Sequence, residues 1–457
     1  MDMNDVDTRW NALVEFRQSF YRCLGSWKDA LFETCDAILE GNGPVSSSPE
    51  LSLESVFRRS HGSLYKALSR GGIDEVAFRR LLCDQRPATW PLVFAVDAST
   101  WDRCDAECSP ERGYYYSASK HSAGQPIVAG WHYQWISQLN WDPDSWTAPV
   151  DSSRLDPEGD ETKGTIDQVR GVVVRLGGVC DVPLFVFDAG YDAIAIGHEL
   201  QDVRCQVLTR IGSNRVFYDD PPTRGQGVNG RPKRHGRRFS CADETTQQLP
   251  DGQHHAKDNR YGDIRVQAWH GLHPRLGTRG HWAGRDEPPI VRGTVIRVDV
   301  QRLPKPTSRS SKTLWLWWSG EGMPDLDLVW RAYLRRFDIE HTYRFVKNTL
   351  GWTTPKIATP QQADLWTWLV IATYTQLRLA RGLVGDLRLP WERRCDPAKL
   401  SPRRVRRGFC RLRAYIGTPA QPPKTSKPGP GRPKGSKSGP RRRHPAIKKS
   451  HSEVAQV

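Results

Sequence analysis

Two short apolar runs, far apart in the chain, each hand over to an aspartate. Leu92-Val93-Phe94-Ala95-Val96, introduced by Pro91, ends in Asp97-Ala98, and Leu184-Phe185-Val186-Phe187, introduced by Pro183, ends in Asp188-Ala189. Runs of four or five apolar residues are too short for buried helices and read as strands buried on both faces. An open α/β sheet places its functional groups beyond the carboxyl ends of such strands. The pattern therefore predicts an α/β fold with two carboxylates, Asp97 and Asp188, delivered to one edge of a sheet.

The rest of the chain can be arranged around this frame. Tyr114–Ser117 and the alternating Trp131, Tyr133, Trp135 within Ile127–Leu139 resemble an antiparallel hairpin. Ile166, Val169, Val173 and Leu176 supply a helix for the sheet, and Gln206-Val207-Leu208 a further strand. Residues 8–88 read as helices, with Trp10, Leu13, Phe16, Phe20 and Leu24 at helical spacing and a Gly/Pro/Ser break at Gly41–Pro49. Residues 212–310 are rich in Gly, Pro, Arg and His and carry no long helical period, which predicts a β-rich or loop-rich insertion closed by the aromatic strand Thr313–Trp318. Helices are expected over Leu326–Leu350 and Gln361–Gly382. From Pro397 onward Pro, Gly, Ser and Arg dominate, and disorder is expected from Thr418. The expected organisation is a helical module over 1–88, a first part of the α/β core over 89–211, an insertion over 212–318, completion of the core over 319–396, and a basic tail over 397–457.

Charge is distributed unevenly. The formal net charge is +16, yet Pro397–Ser452 holds 17 Lys and Arg and no acid, and the remainder carries 50 basic against 51 acidic residues. The basicity is thus a tail, suited to releasing counterions from a polyanion or to serving as a solvated arm. No apolar run approaches the roughly 20 residues of a membrane span, and the acidic, polar start does not read as a secretory signal. The ten cysteines include one close pair, Cys104 and Cys108, with no second pair to complete a zinc set. A soluble, cytoplasmic protein with reduced thiols is the expectation.

In the helix expected before Leu350, Tyr333, Arg336, Glu340, Arg344 and Lys347 are spaced by 3, 4, 4 and 3 and would share one face. Leu334, Phe337, His341 and Phe345 would form the stripe that packs on the sheet. A carboxylate bracketed by cations is ordinarily a solvated ion-pair face. Here two strand-end aspartates await an acidic partner, and Glu340 is the candidate. Three carboxylates can hold two Mg²⁺ ions about 4 Å apart for in-line phosphoryl chemistry, with the flanking cations positioning the phosphate backbone.

Tyr333-x2-Arg336-x3-Glu340-x6-Lys347 resembles the YREK signature of bacterial insertion-sequence transposases with a DDE triad. Asp97 in Phe-Ala-Val-Asp-Ala and Asp188 in Phe-Asp-Ala-Gly-Tyr-Asp are similar to that group's first and second catalytic aspartates, and the resemblance spans roughly residues 55–415. It implies an RNase H-like mixed sheet flanked by helices, interrupted by an insertion before the last catalytic helix. It implies metal ligation and catalysis by Asp97, Asp188 and Glu340, with two Mg²⁺ ions that Mn²⁺ would replace, and DNA contacts from Tyr333, Arg336, Arg344 and Lys347. It further implies cut-and-paste transposition, double-stranded DNA with terminal inverted repeats as substrate, a homodimeric synaptic complex and a nucleoid-associated bacterial protein. In relatives a tryptophan before the signature helix stacks on a flipped base; Trp315 is the matching position, with a packed strand face as the alternative. A catalytically inactive DNA-binding descendant of such an enzyme is the alternative for the whole chain.

Asp192 competes with Asp188 for the second carboxylate but reads better as the N-cap of a helix running to Leu200. In the tail, Pro430-Gly431-Arg432-Pro433-Lys434-Gly435 resembles an AT-hook. Proline keeps it extended, and Arg432 and Lys434 suit the negative potential of a narrow A·T minor groove. Gly-Arg-Pro-Lys recurs at 230–233 inside the insertion.

Overall fold

The computed structural model describes residues 3–41, 43–117, 125–178, 180–223, 230–304, 311–424, 433–437 and 439–448. The chain divides into two compact units. One comprises Met1–Trp90, Ala98–Gly159 and Asp338–Lys449; the other comprises Pro91–Asp97, Asp160–Phe337 and the last residues. Among the described residues no helix is long and apolar enough to cross a membrane.

The second unit is built on a sheet. The first residues of β1 (Val93–Asp102) pair in parallel with β5 (Leu184–Phe187), Val93 to Leu184 through Ala95 to Val186, and β5 pairs in parallel with β6 (Gln206–Ile211). Val93–Val96 and Leu184–Phe187 are buried throughout, as their sequence demands. Helix α6 (Glu161–Leu176), capped by Asp160, precedes β5, and α7 (Ala193–Glu199) follows it. Asp192 accepts hydrogen bonds from the Ile194 and Ala195 N–H groups, the N-cap expected of it.

The insertion is β-rich, and it extends this same sheet. β12 (Thr313–Ser319) pairs antiparallel with β6, and β11 (Gly293–Val300), β10 (Gly262–Pro274), β7 (Val216–Tyr218) and β8 (Arg238–Ser240) continue outward, with β9 (Gly252–Asp258) also on β10. Its core is aromatic: Trp269, Trp315 and Phe239 meet in one cluster and Phe217 stacks on Trp317 at 5.3 Å.

The first unit is mainly helical. α1 (Met3–Cys23), α2 (Lys28–Glu40), the short α3 (Ser48–Leu51), α4 (His61–Arg70) and α5 (Glu75–Asp84) confirm the expected N-terminal helices. At the centre lies α10 (Pro360–Ala380), apolar nearly all round and buried accordingly, opened by a capping box between Thr359 and Gln362 and packed on α1, α2, α4 and α11 (Pro402–Ile416). β2 (Gly113–Tyr116) and β4 (Thr147–Arg154) both pair antiparallel with β3 (Ile127–Leu139). Gly130 in β3 lies against the Trp101 backbone, where a Cβ would fall 2.2 Å from the carbonyl oxygen.

Four expectations are corrected. The helix expected over Leu326–Leu350 is two, α8 (Leu326–Arg335) and α9 (Asp338–Asn348). The expected apolar stripe is also displaced: Phe337 is 41 % exposed and Arg336 1 %, so a guanidinium takes the inward place that periodicity gives to a ring. The buried line is Tyr333, Arg336, Ile339, Tyr343 and Val346. The basic tail expected from Pro397 begins instead with α11, whose Val405, Phe409 and Leu412 are buried despite the arginines around them. Disorder from Thr418 is not what the described residues there display. The Gln421 N–H donates to Asp29, and His444 and Ile447 N–H groups donate to the Glu107 and Arg112 carbonyls.

Candidate active site

Asp97 lies in β1 two residues after the last pairing of that strand with β5, and Asp188 is the first residue beyond β5. Each follows a run buried by its own apolar side chains, so the chain surfaces at the carboxylate. The side chains are 20 % and 40 % exposed. A turn closed by the Tyr191 N–H on the Asp188 carbonyl then leads to the Asp192 cap.

Arg336 brings the two together. Its Nη2 lies 3.3 Å from Asp188 Oδ2 and its Nη1 3.7 Å from Asp97 Oδ2, so one buried guanidinium spans the ends of adjacent parallel strands. Tyr333, one turn earlier and 1 % exposed, donates its hydroxyl to Asp188 Oδ1 at 3.4 Å. Burial, reinforced by the Asp188 charge, pushes the Tyr333 hydroxyl up to about 12, which keeps it a neutral donor. Phe337 lies with its ring 4.8 Å from the guanidinium carbon, the Tyr333 ring at 5.9 Å.

Sequence reasoning gives Tyr191 no role. Its hydroxyl is raised well above the usual range, first by burial and then by the charges of Asp97, Glu161 and Asp188, with Arg336 opposing. Glu161, in the first turn of α6, thus acts on the same field, and sequence reasoning misses it altogether. The only signal is its place beside the capping Asp160.

The remaining candidates are distributed differently. Glu340 lies exposed in the first turn of α9, in the other unit, where an acid complements the helix dipole. Arg344 is exposed, and the half-buried Lys347 donates to the Thr100 carbonyl at 3.0 Å and lies 5.5 Å from the Trp352 ring. The five signature side chains therefore do not share one exposed face, because Tyr333 and Arg336 are turned inward to the aspartates. Among the described residues no group of three His, Cys, Asp or Glu is arranged to hold a metal ion. Asp97 and Asp188 form a pair. Two carboxylates gripping one cation, and open enough for solvent to reach, nevertheless fit a metal ion, with the guanidinium as its stand-in.

Trp315 is 5 % exposed and packs against Trp269 at 5.9 Å and Phe239 at 6.2 Å, which is the packed strand face and not an open stacking platform. Lys434 is exposed, and Arg432 lies outside the described residues. Arg231 of the inner Gly-Arg-Pro-Lys and Arg234, which follows it, both pair with Glu287 at 3.0 Å. All ten cysteines are free thiols.

The family model of the DDE superfamily endonucleases matches residues 19–275, more than half of the chain, with Asp97 and Asp188 inside the match and Glu340 beyond it. The chain belongs to the DDE superfamily endonucleases. Among solved structures it is similar to the piggyBac transposase synaptic complex with hairpin DNA, at TM-score 0.41 and 11 % identity over 86 % of this chain and 74 % of that one. No curated protein sequence matches it.

Proposed function

We propose that the chain is a DNA transposase of the DDE type with an RNase H-like core, acting on the ends of a mobile element. The observation that carries this reading is the convergence of Asp97 and Asp188, at the ends of adjacent parallel strands, on one buried guanidinium in a member of the endonuclease family. The strand arrangement supports the RNase H-like reading: β1, β5 and β6 run parallel in that order, and the antiparallel pair β3 and β4 falls between β1 and β5 in sequence.

Asp97, Asp188 and Glu340 would ligate two divalent metal ions, Mg²⁺ or in its place Mn²⁺. Metal bound there supplies charge neutralisation and an activated oxygen nucleophile for in-line displacement at phosphorus. The protein's own part is to hold the two carboxylates in register on a rigid sheet and to keep Asp188 oriented through the Tyr333 hydroxyl. Arg344 and Lys347 on α9, and the basic tail through Lys434 and Arg432, would contact the DNA backbone and groove. A buried Trp315 supports packing over base stacking in the free protein. Terminal inverted repeats as substrate and a homodimeric synapse complete the proposal.

The test is cleavage and strand transfer on duplexes bearing the sequences that flank the gene, in Mg²⁺ and in Mn²⁺. Nicking at a defined end, lost in Asp97→Asn, is expected. Sequence-specific binding with no cleavage in either metal would make the chain a non-catalytic DNA-binding protein.

A further inference from the structure

We propose that Arg336 is a built-in counter-cation which holds Asp97 and Asp188 ready before metal arrives, and which must let go of them for metal to bind. The inference rests on the reading of those aspartates as metal ligands. Two carboxylates at the ends of neighbouring strands repel one another, and a single charge between them relieves that repulsion. Arg336 supplies it at 3.3 Å and 3.7 Å from a side chain that is itself 1 % exposed. A divalent ion bound by both aspartates would meet this guanidinium at close range, in a setting where charges interact strongly. Metal binding therefore carries the cost of displacing Arg336.

DNA supplies an anion for the displaced guanidinium. A phosphodiester can accept the forked pair of N–H donors that a guanidinium presents. The carboxylates are partly open to solvent, and the Phe337 ring beside the guanidinium is 41 % exposed, so the buried guanidinium lies next to side chains that solvent reaches. DNA phosphate and metal should thus bind cooperatively, each raising the other's affinity by one common factor. The protein without DNA would hold metal loosely, and the arrival of backbone phosphate would load the site.

Mn²⁺ titrations of the full chain, followed by calorimetry and by electron paramagnetic resonance, test this without any need for turnover. In the absence of DNA, Arg336→Gln is expected to bind Mn²⁺ about tenfold more tightly than wild type, and Arg336→Lys close to wild type. A short duplex is expected to tighten Mn²⁺ binding to wild type and to do so much less in Arg336→Gln. A merely structural role predicts the opposite sign, weaker metal binding on loss of the arginine. Equal or weaker binding by a folded Arg336→Gln overturns the inference while leaving the metal site standing, provided wild-type binding is lost in Asp97→Asn. Should Arg336→Gln fail to fold, wild type decides: Mn²⁺ affinity unchanged by duplex overturns the inference. Absence of any Asp97-dependent Mn²⁺ binding overturns both this inference and the proposed function.

Discussion

Arg17 and Arg336, one in each unit, are both almost completely buried, and they are held in opposite ways. Arg17 makes a two-pronged bridge to Asp36 at 2.9 Å and 3.2 Å, donates to the Gly417 carbonyl at 3.0 Å, and faces a carboxylate only 1 % exposed. Arg336 reaches its carboxylates at 3.3 Å and 3.7 Å, and both of them see solvent. The first arrangement joins α1 to α2 and to the turn after α11, in a place that water does not reach. The second is looser and faces partners that water or another cation can serve. Burial of the arginine does not distinguish these two ion pairs; the exposure of the partner does.

The comparison can be broken most sharply at the carboxylates. Asp97→Asn and Asp188→Asn should each lower cleavage by at least about a thousandfold, as loss of a metal ligand requires, with melting temperature near wild type. Glu340→Gln should do the same, and near-normal cleavage in that variant would remove it from the ligand set. Asp36→Asn should leave any residual activity tied to folding alone.

Next in size is Arg17→Ala. Removing one partner of a fully buried pair leaves Asp36 charged and dry, and a loss of about 3–5 kcal/mol is expected in denaturant unfolding. Arg336→Ala should lose less than half of that, since its carboxylates can hydrate, while single-turnover cleavage falls at least about tenfold. Equal destabilisation by the two substitutions would erase the distinction drawn between them.

Trp315→Ala should destabilise the sheet unit by about 3–5 kcal/mol, the usual cost of emptying an aromatic core position. A stable variant defective only in end processing would return Trp315 to a DNA-contacting role. The smallest effect is expected from truncation after Pro423, which keeps α11. It should leave melting almost unchanged and flatten the salt dependence of DNA binding, by about 0.9 in log K per log salt for each phosphate no longer neutralised. An unaltered slope would make the end of the chain a spacer.

The sheet was legible because its strands carry their signal in local composition. The runs before Asp97 and Asp188 appear where expected, and β3 covers Ile127–Leu139 as alternation predicts. β4 was not legible: its Pro149 and its Asp151-Ser152-Ser153 do not resemble a strand. They are held by pairing with β3 and by the Arg79 bridge to Asp151. α11 was hidden by its own arginines, which drew the reading toward a solvated arm and away from Val405, Phe409 and Leu412 at helical spacing. At the site, residue types were legible and directions were not. Periodicity places Tyr333 and Arg336 on the face of Glu340, but it carries no information on which side chain a pair of distant carboxylates will draw inward. Glu161 shows the same limit, since only the folded chain brings α6 to Tyr191.

The division of the chain also bears on how the molecule is made. Apart from Pro91–Asp97 and the last residues, the sheet unit is one uninterrupted stretch, Asp160–Phe337, whereas the helical unit is collected from three stretches and closes through a bond from Arg17 to Gly417. During synthesis the N-terminal helices emerge first, yet they wait for the last helix before their core is complete. Domains generally fold as units while the chain elongates, so here the middle of the sequence is finished ahead of its beginning. Contacts spanning 400 positions also make closure slow. A chain stopped between Phe337 and Gly417 would carry the sheet unit's long stretch complete and a helical unit still lacking the Arg17–Gly417 bond.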